Sequence, residues 1–343
     1  MKPATWPRDT PLSERLLRVD PTGGRWTHHV VGDLPDLLRP GDLVIANDAA
    51  TIPASLFGST TVGERLEVRL ATTSDESTWQ AVLFGEGDWH TRTEDRAAPP
   101  PVVPGDTLQL GDGLDATIVA VDARSPRLVT LRFSLEGAAL WTALHRYGRP
   151  VQYAYVRDWL ATWHVQTAFA SRPWAVEMPS AGRPITASLL ASLRRSGVAI
   201  ARLTHAAGLS STGDPAIDHV LPFPERYEIP RETASALARA RAEGKRIVAV
   251  GTTVVRALEG CASEHAGEVV PGRGTTDLHI GEGFVPRVVD GLLTGLHEEG
   301  TSHRGLLHAF ASEPLLAGAW ADAEARGYLA HEFGDHALVL RAA

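Results

Sequence analysis

The sequence predicts an α/β protein that carries a small all-β module inserted into a larger domain. Three observations lead there. Short apolar runs at 43–46 and 247–250 end in polar turns, as buried strands do. After residue 137, helical stretches closed by glycine alternate with further apolar runs. Between 58 and 137 the texture is short alternating strands with Gly/Asp turns.

Taken in order, Asp33 starts a short helix that Pro40-Gly41-Asp42 stops. Residues 43–46 form a strand ending at Asn47-Asp48. Strands follow at 66–70, 79–84, 107–110, 116–121 and 128–133, with a proline-rich loop at 97–104. Residues 138–147 make a helix ended by Gly148. Thr186 caps a helix over 187–195 that Gly197 closes. A strand at 198–203 leads to Thr204-His205, and a helix at 231–243 is closed by Gly244. The pattern then gives a strand into Gly251, a helix, a strand over 285–293, helices at 302–311 and 315–326, and a last strand at 337–340. The expected division is a main domain of 1–57 and 138–343 around an inserted β domain of 58–137.

Of 343 residues, 43% are hydrophobic and 22% charged, as in a soluble globular protein. No apolar run reaches the roughly 20 residues that cross a bilayer. A lone Cys261 excludes an intrachain disulfide and a thiolate metal cluster, so a reducing cytoplasm is expected. The net charge of −8 argues against a protein dominated by nucleic-acid binding, but leaves room for a local basic patch. Arg146, Arg149 and Arg157, or Arg194, Arg195 and Arg202, are the sets to consider. The histidines of 297–308 lack the i, i+4 spacing of a zinc helix, and no metal is expected.

Four polar groups fall at the ends of expected strands: Asn47-Asp48, His205, Gly251-Thr252-Thr253, and Thr294 to His297. Together they point to a shared cleft. Glycine lets a ligand approach the backbone, and the free N–H groups of a following helix favour an anion. Arg256, one turn into that helix, is suited to a carboxylate, either a ligand's or that of Glu259. Asp218-His219 have the makings of a base and its orienting partner. Turn and capping roles remain open for each. Asp290 and Asp335 read as strand-end caps or as acceptors for ribose hydroxyls.

Residues 33–58, 246–260, 288–297 and 333–340 resemble, in order, the S-adenosylmethionine:tRNA ribosyltransferase-isomerases of queuosine biosynthesis. The resemblance implies a barrel-like main domain with a mixed sheet and outer helices. It implies S-adenosylmethionine as co-substrate and transfer of its rearranged ribosyl unit to the aminomethyl group of a 7-deazaguanine in tRNA. It places Ser180, Ala181 and Gly182 in a substrate-binding stretch with Asn47, Asp48, Gly251, Thr252, Thr253, Arg256 and Thr294. His205, Asp218, His219 and His297 stand at or near the family's polar positions. Departures fall on polar positions too: Pro184 replaces a histidine, Ala50 an arginine and Gly295 an asparagine. They leave open a small-molecule acceptor, or an inactive homologue that only binds.

Overall fold

A computed structural model of the chain describes residues 1–73, 75, 77–297 and 300–340. It is a mixed α/β structure with one closed six-stranded barrel and one larger mixed sheet.

The strands of the larger sheet are β1 (Arg15–Asp20), β2 (Arg25–Val30), β3 (Leu43–Asn47), β4 (Ala199–His205), β5 (Glu225–Ile229), β6 (Ile247–Val250), β7 (Gly272–Thr276), β8 (Gly291–Gly295) and β9 (His336–Leu340). Their order across the sheet is β7-β5-β4-β3-β6-β8-β9-β1-β2. The four central strands β4, β3, β6 and β8 are mutually parallel. Every residue of β3, β6 and β8 is buried, which explains their unbroken apolar runs. Helices α3 (Arg231–Ala242), α4 (Thr252–Glu264) and α5 (Glu313–Ala325) supply the core on one face. Helix α2 (Ala187–Arg195), with Leu34 and Ile185, covers the other.

The barrel strands run from Ser55–Thr60 to Leu128–Phe133, and all pairs are antiparallel. Closure brings Ser55–Thr60 onto Thr107–Gly111. Gly58 is required there, because a β-carbon would lie 2.2 Å from the Gln109 carbonyl oxygen. The barrel core continues into α1 (Gly137–Tyr147) and into Val176, Ile217 and Phe223.

Two expectations need correction. The closed barrel is the small β unit; the larger sheet is open, with β7 and β2 as edges. Its end strands are polar or glycine-rich, and edge strands are built that way. The strand expected over 285–293 begins only at Gly291. The amides of Arg287, Val288 and Val289 are instead donated to the Glu259 carboxylate, at 2.9–3.0 Å. That leaves them no ladder to join.

Candidate active site

Because β4, β3, β6 and β8 are parallel neighbours, their C-terminal ends share one sheet edge. These are the ends of His205, Asn47, Gly251 and Thr294-Gly295. Ligands of α/β sheets bind at such an edge.

Asn47 ties three of these ends together. Its Nδ2 donates to the His205 carbonyl at 3.0 Å and to Thr253 Oγ1 at 3.3 Å. Its Oδ1 accepts from the amides of His205, at 2.9 Å, and Ala49, at 3.0 Å. Beside it, Asp48 accepts from Thr204 Oγ1 at 2.6 Å. Gly251 opens α4 with φ +90°, a conformation only glycine adopts freely. Ala181 lies against it, 3.6 Å from where its β-carbon would be. The turn Ser180–Gly182 is thereby brought to the same edge, with Gly182 packed on the Phe169 ring.

Thr252 Oγ1 is hydrogen-bonded to His303 Nδ1 at 3.0 Å, and the His303 ring stacks on His297. His297 Nε2 is hydrogen-bonded to Thr294 Oγ1 at 2.9 Å. Burial, then the neighbouring imidazoles of His303, His331 and His336, push His297 well below the ordinary histidine value. Burial, helped by Arg256, lowers His303 to about 4. Both rings are therefore neutral at pH 7.

His205 is fully buried, and burial followed by Arg256 lowers it to about 3. Its Nε2 lies 3.4 Å from Glu225 Oε2, but neither ring nitrogen has a hydrogen-bond partner among the described residues. Arg256 Nε donates to Glu225 Oε2 at 3.2 Å and its Nη1 to the Leu278 carbonyl at 2.8 Å. The pairing of Arg256 with Glu259 is thus corrected. Glu225 holds Arg256, and Glu259 holds three backbone amides.

A second cluster, next to His297 through His331, comes from residues that the pattern did not single out as functional. Tyr153 donates to Glu177, and Tyr155 to Glu332. The two tyrosine rings stack at 6.1 Å, and Tyr155 also stacks on His331 at 4.2 Å. Burial raises the Glu177 carboxyl. Burial, with Glu177 nearby, raises Glu332 to about 7. The side chains of Tyr153, Tyr155, Glu177, His297, His303 and Glu332 are only partly covered. The missed groups sit in irregular segments with no periodicity to mark them. His303 carried one usable signal, since it stands six residues after His297 in a histidine-rich run.

Asp218 and His219 do not join this cluster. Asp218 accepts from Thr212 N and Oγ1, at 2.7 and 2.6 Å, in a short helix packed on the barrel. His219 is exposed and bonds the Pro215 carbonyl. Two shallow hollows of about 420 and 520 Å³ on the barrel, by Gly63 and Glu86, contain none of the candidate residues. Asp290 and Asp335 cap backbone amides of Ile247, Arg15 and Leu329. Among the described residues no group of three or more His, Cys, Asp or Glu side chains is arranged for a metal ion, and no helix is long and apolar enough to cross a membrane.

A sequence profile described as "Queuosine biosynthesis protein" matches residues 2–339. The chain belongs to that family. It is 37% identical to the S-adenosylmethionine:tRNA ribosyltransferase-isomerase of Anaeromyxobacter dehalogenans, covering 98% of this chain and 94% of the relative. The protein of the same name from Thermus thermophilus is 36% identical, with 97% and 94% covered. That of a Methylobacterium species is 38% identical, with 98% and 93% covered. Among solved structures, an S-adenosylmethionine tRNA ribosyltransferase from Thermotoga maritima aligns over 98% of this chain and 96% of its own, with a TM-score of 0.54 and 25% identity. The family member described here is an enzyme of the transferase/isomerase class.

Proposed function

We propose that this enzyme transfers and isomerises the ribosyl unit of S-adenosylmethionine onto the aminomethyl group of a 7-deazaguanine in tRNA. The observation that carries this reading is the chain Thr252–His303–His297–Thr294. It joins the start of α4 to two neutral imidazoles at the edge where the other strand ends meet.

The reaction needs a proton taken from C5′, which the adjacent sulfonium acidifies, and then attack by the acceptor amine. Neutral imidazoles accept protons, and the Glu332 carboxyl, raised by burial to about 7, exchanges them near neutral pH; burial also holds the Glu177 carboxyl above its ordinary range. His297 and His303 are the proton-handling groups in this reading. Asn47, His205 and Arg256 are positioning residues, because all three are buried behind the strand ends. The first-turn amides of α4, with Ser180 and Thr253, hold the anionic and hydroxyl groups of the nucleoside. The carboxyl–tyrosine wall suits a sulfonium or an ammonium. In this reading the chain has two domains, 1–57 with 138–343, and 58–137, and the candidate residues belong to the first.

Incubation of the enzyme with S-adenosylmethionine and a tRNA bearing the aminomethyl precursor base is expected to release adenine and methionine only when that tRNA is present. Adenine release with small amines and without tRNA would move the assignment to a small-molecule acceptor. No release under either condition would overturn the enzymatic reading of the cleft.

A further inference from the structure

Arg146, Arg149 and Arg157 are all exposed. Each guanidinium lies over an aromatic ring: Tyr147 at 5.2 Å, Trp159 at 4.4 Å and Trp6 at 4.8 Å. None of the three forms an ion pair within 4.0 Å among the described residues. In the same loop Trp163 is 76% exposed and Trp159 37%, rare exposure for the largest apolar side chain. Asp158, the one acid of the sequence from 146 to 163, accepts the Trp159 amide at 2.7 Å.

The loop is held in shape. Trp89 donates to the Val156 carbonyl at 3.0 Å and packs on Trp159 at 3.8 Å. The Arg157 amide donates to the Thr5 carbonyl at 3.1 Å, and Trp6 meets His164 edge-on at 4.9 Å. Tyr155 of this loop reaches the second cluster at His331. Trp159 is therefore within about 14 Å of Tyr155 along even a fully extended chain.

We propose that the segment from Tyr155 to Trp163 is a platform on which unpaired bases of an RNA loop stack. Arg149 and Arg157 meet its phosphates, and the loop feeds one base into the cleft beside Tyr155. This rests on the tRNA reading above and names the surface that serves it. Every base has a face for stacking on an aromatic ring, and cations beside the rings add backbone attraction. On a chain of net charge −8 such attraction has to be local, and these arginines lack acidic partners.

Two measurements on the whole protein test it. Anisotropy of a labelled anticodon stem-loop RNA reports binding as salt is varied, and adenine release reports turnover. Trp163→Ala removes an exposed ring without disturbing the core and is expected to weaken binding by about tenfold. Arg149→Ala with Arg157→Ala is expected to lower the slope of log Kd against log salt by about two. In both variants kcat at saturating tRNA stays at the wild-type level while KM rises. Wild-type affinity and salt slope in both variants overturn the platform and leave the tRNA reading intact. RNA binding that falls in the variants while wild type releases no adenine supports the platform and overturns the reaction. A Trp163-dependent dimer with unchanged RNA affinity gives this face to a second copy of the chain and also overturns the platform.

Discussion

The imidazole rings of His297 and His303 lie 4.8 Å apart, centroid to centroid, with their planes at 19°. Each is anchored by a threonine hydroxyl from a different strand end. Stacked imidazoles this close disfavour a second positive charge, so the pair takes up one proton at a time. His297→Gln and His303→Gln are each expected to lower kcat about a hundredfold, a typical share for acid–base groups. Steady-state adenine release under saturating substrates measures this. Near-wild-type kcat in either variant removes that ring from the chemistry.

Gly251 holds φ +90° and ψ 154°, and the space beyond it is open to 3.5 Å. The cost of a side chain is therefore in the backbone rather than in a clash. Gly251→Ala is expected to lose about 1–3 kcal/mol of stability. It also turns the first N–H groups of α4 away from the cleft, so KM for S-adenosylmethionine should rise. Urea unfolding and substrate titration check the two effects separately. Unchanged KM would detach this turn from the ligand.

The strand ends were legible because central parallel strands are unbroken apolar runs, and their last residues must be polar or glycine. That logic located Asn47, His205, Gly251 and Thr294 on one edge. It failed at β5, where Glu225 supplies the partner of Arg256 from a strand of alternating polarity behind a proline-rich approach. It failed also for Tyr155 and Glu332, which sit in loops whose positions depend on the barrel and sheet meeting. Asp218-His219 looked like a catalytic pair in sequence, but local hydrogen bonds consume the carboxylate.

Glu259 shows how an apolar run is kept out of a sheet. Its two carboxylate oxygens receive three consecutive amides at 2.9–3.0 Å from a fully buried position on α4. Glu259→Gln keeps one acceptor oxygen but sets an NH2 group against a backbone N–H. It is expected to cost about 2 kcal/mol, as for a buried donor left unmet. Hydrogen exchange should quicken first at residues 287–289. Equal protection in the variant would show that the loop is held by its apolar contacts alone.

The Arg256–Glu225 pair is buried on both sides, each side chain 8% exposed. Removing one partner strands a charge, so Arg256→Met is expected to cost about 3–5 kcal/mol. Glu225→Gln should cost less, because its amide oxygen still accepts the Gly208 N–H that the carboxylate holds at 2.7 Å. Chemical denaturation of the two variants gives the comparison. The reverse ranking would mean that the carboxylate, rather than the guanidinium, organises this corner.

Stability against pH should bend in two opposed directions. His205 and His303 fall to about 3 and about 4 from an ordinary 6.5. A depressed histidine binds its proton later in the folded state than in the unfolded chain. Its contribution is therefore complete above pH 6.5 and drains away as pH falls toward 4 and then 3. Glu332 is raised to about 7 from 4.5. Its contribution is complete below pH 4.5 and is lost as pH rises through 7. Glu332→Gln cannot ionise, so relative to wild type it should gain stability steadily from pH 5 to 7. His303→Gln should lose less than wild type between pH 6.5 and 4. Urea midpoints taken from pH 4 to 8 read both slopes. A Glu332→Gln curve parallel to wild type across pH 5 to 7 would place that carboxyl in water and remove it from the wall of the cleft.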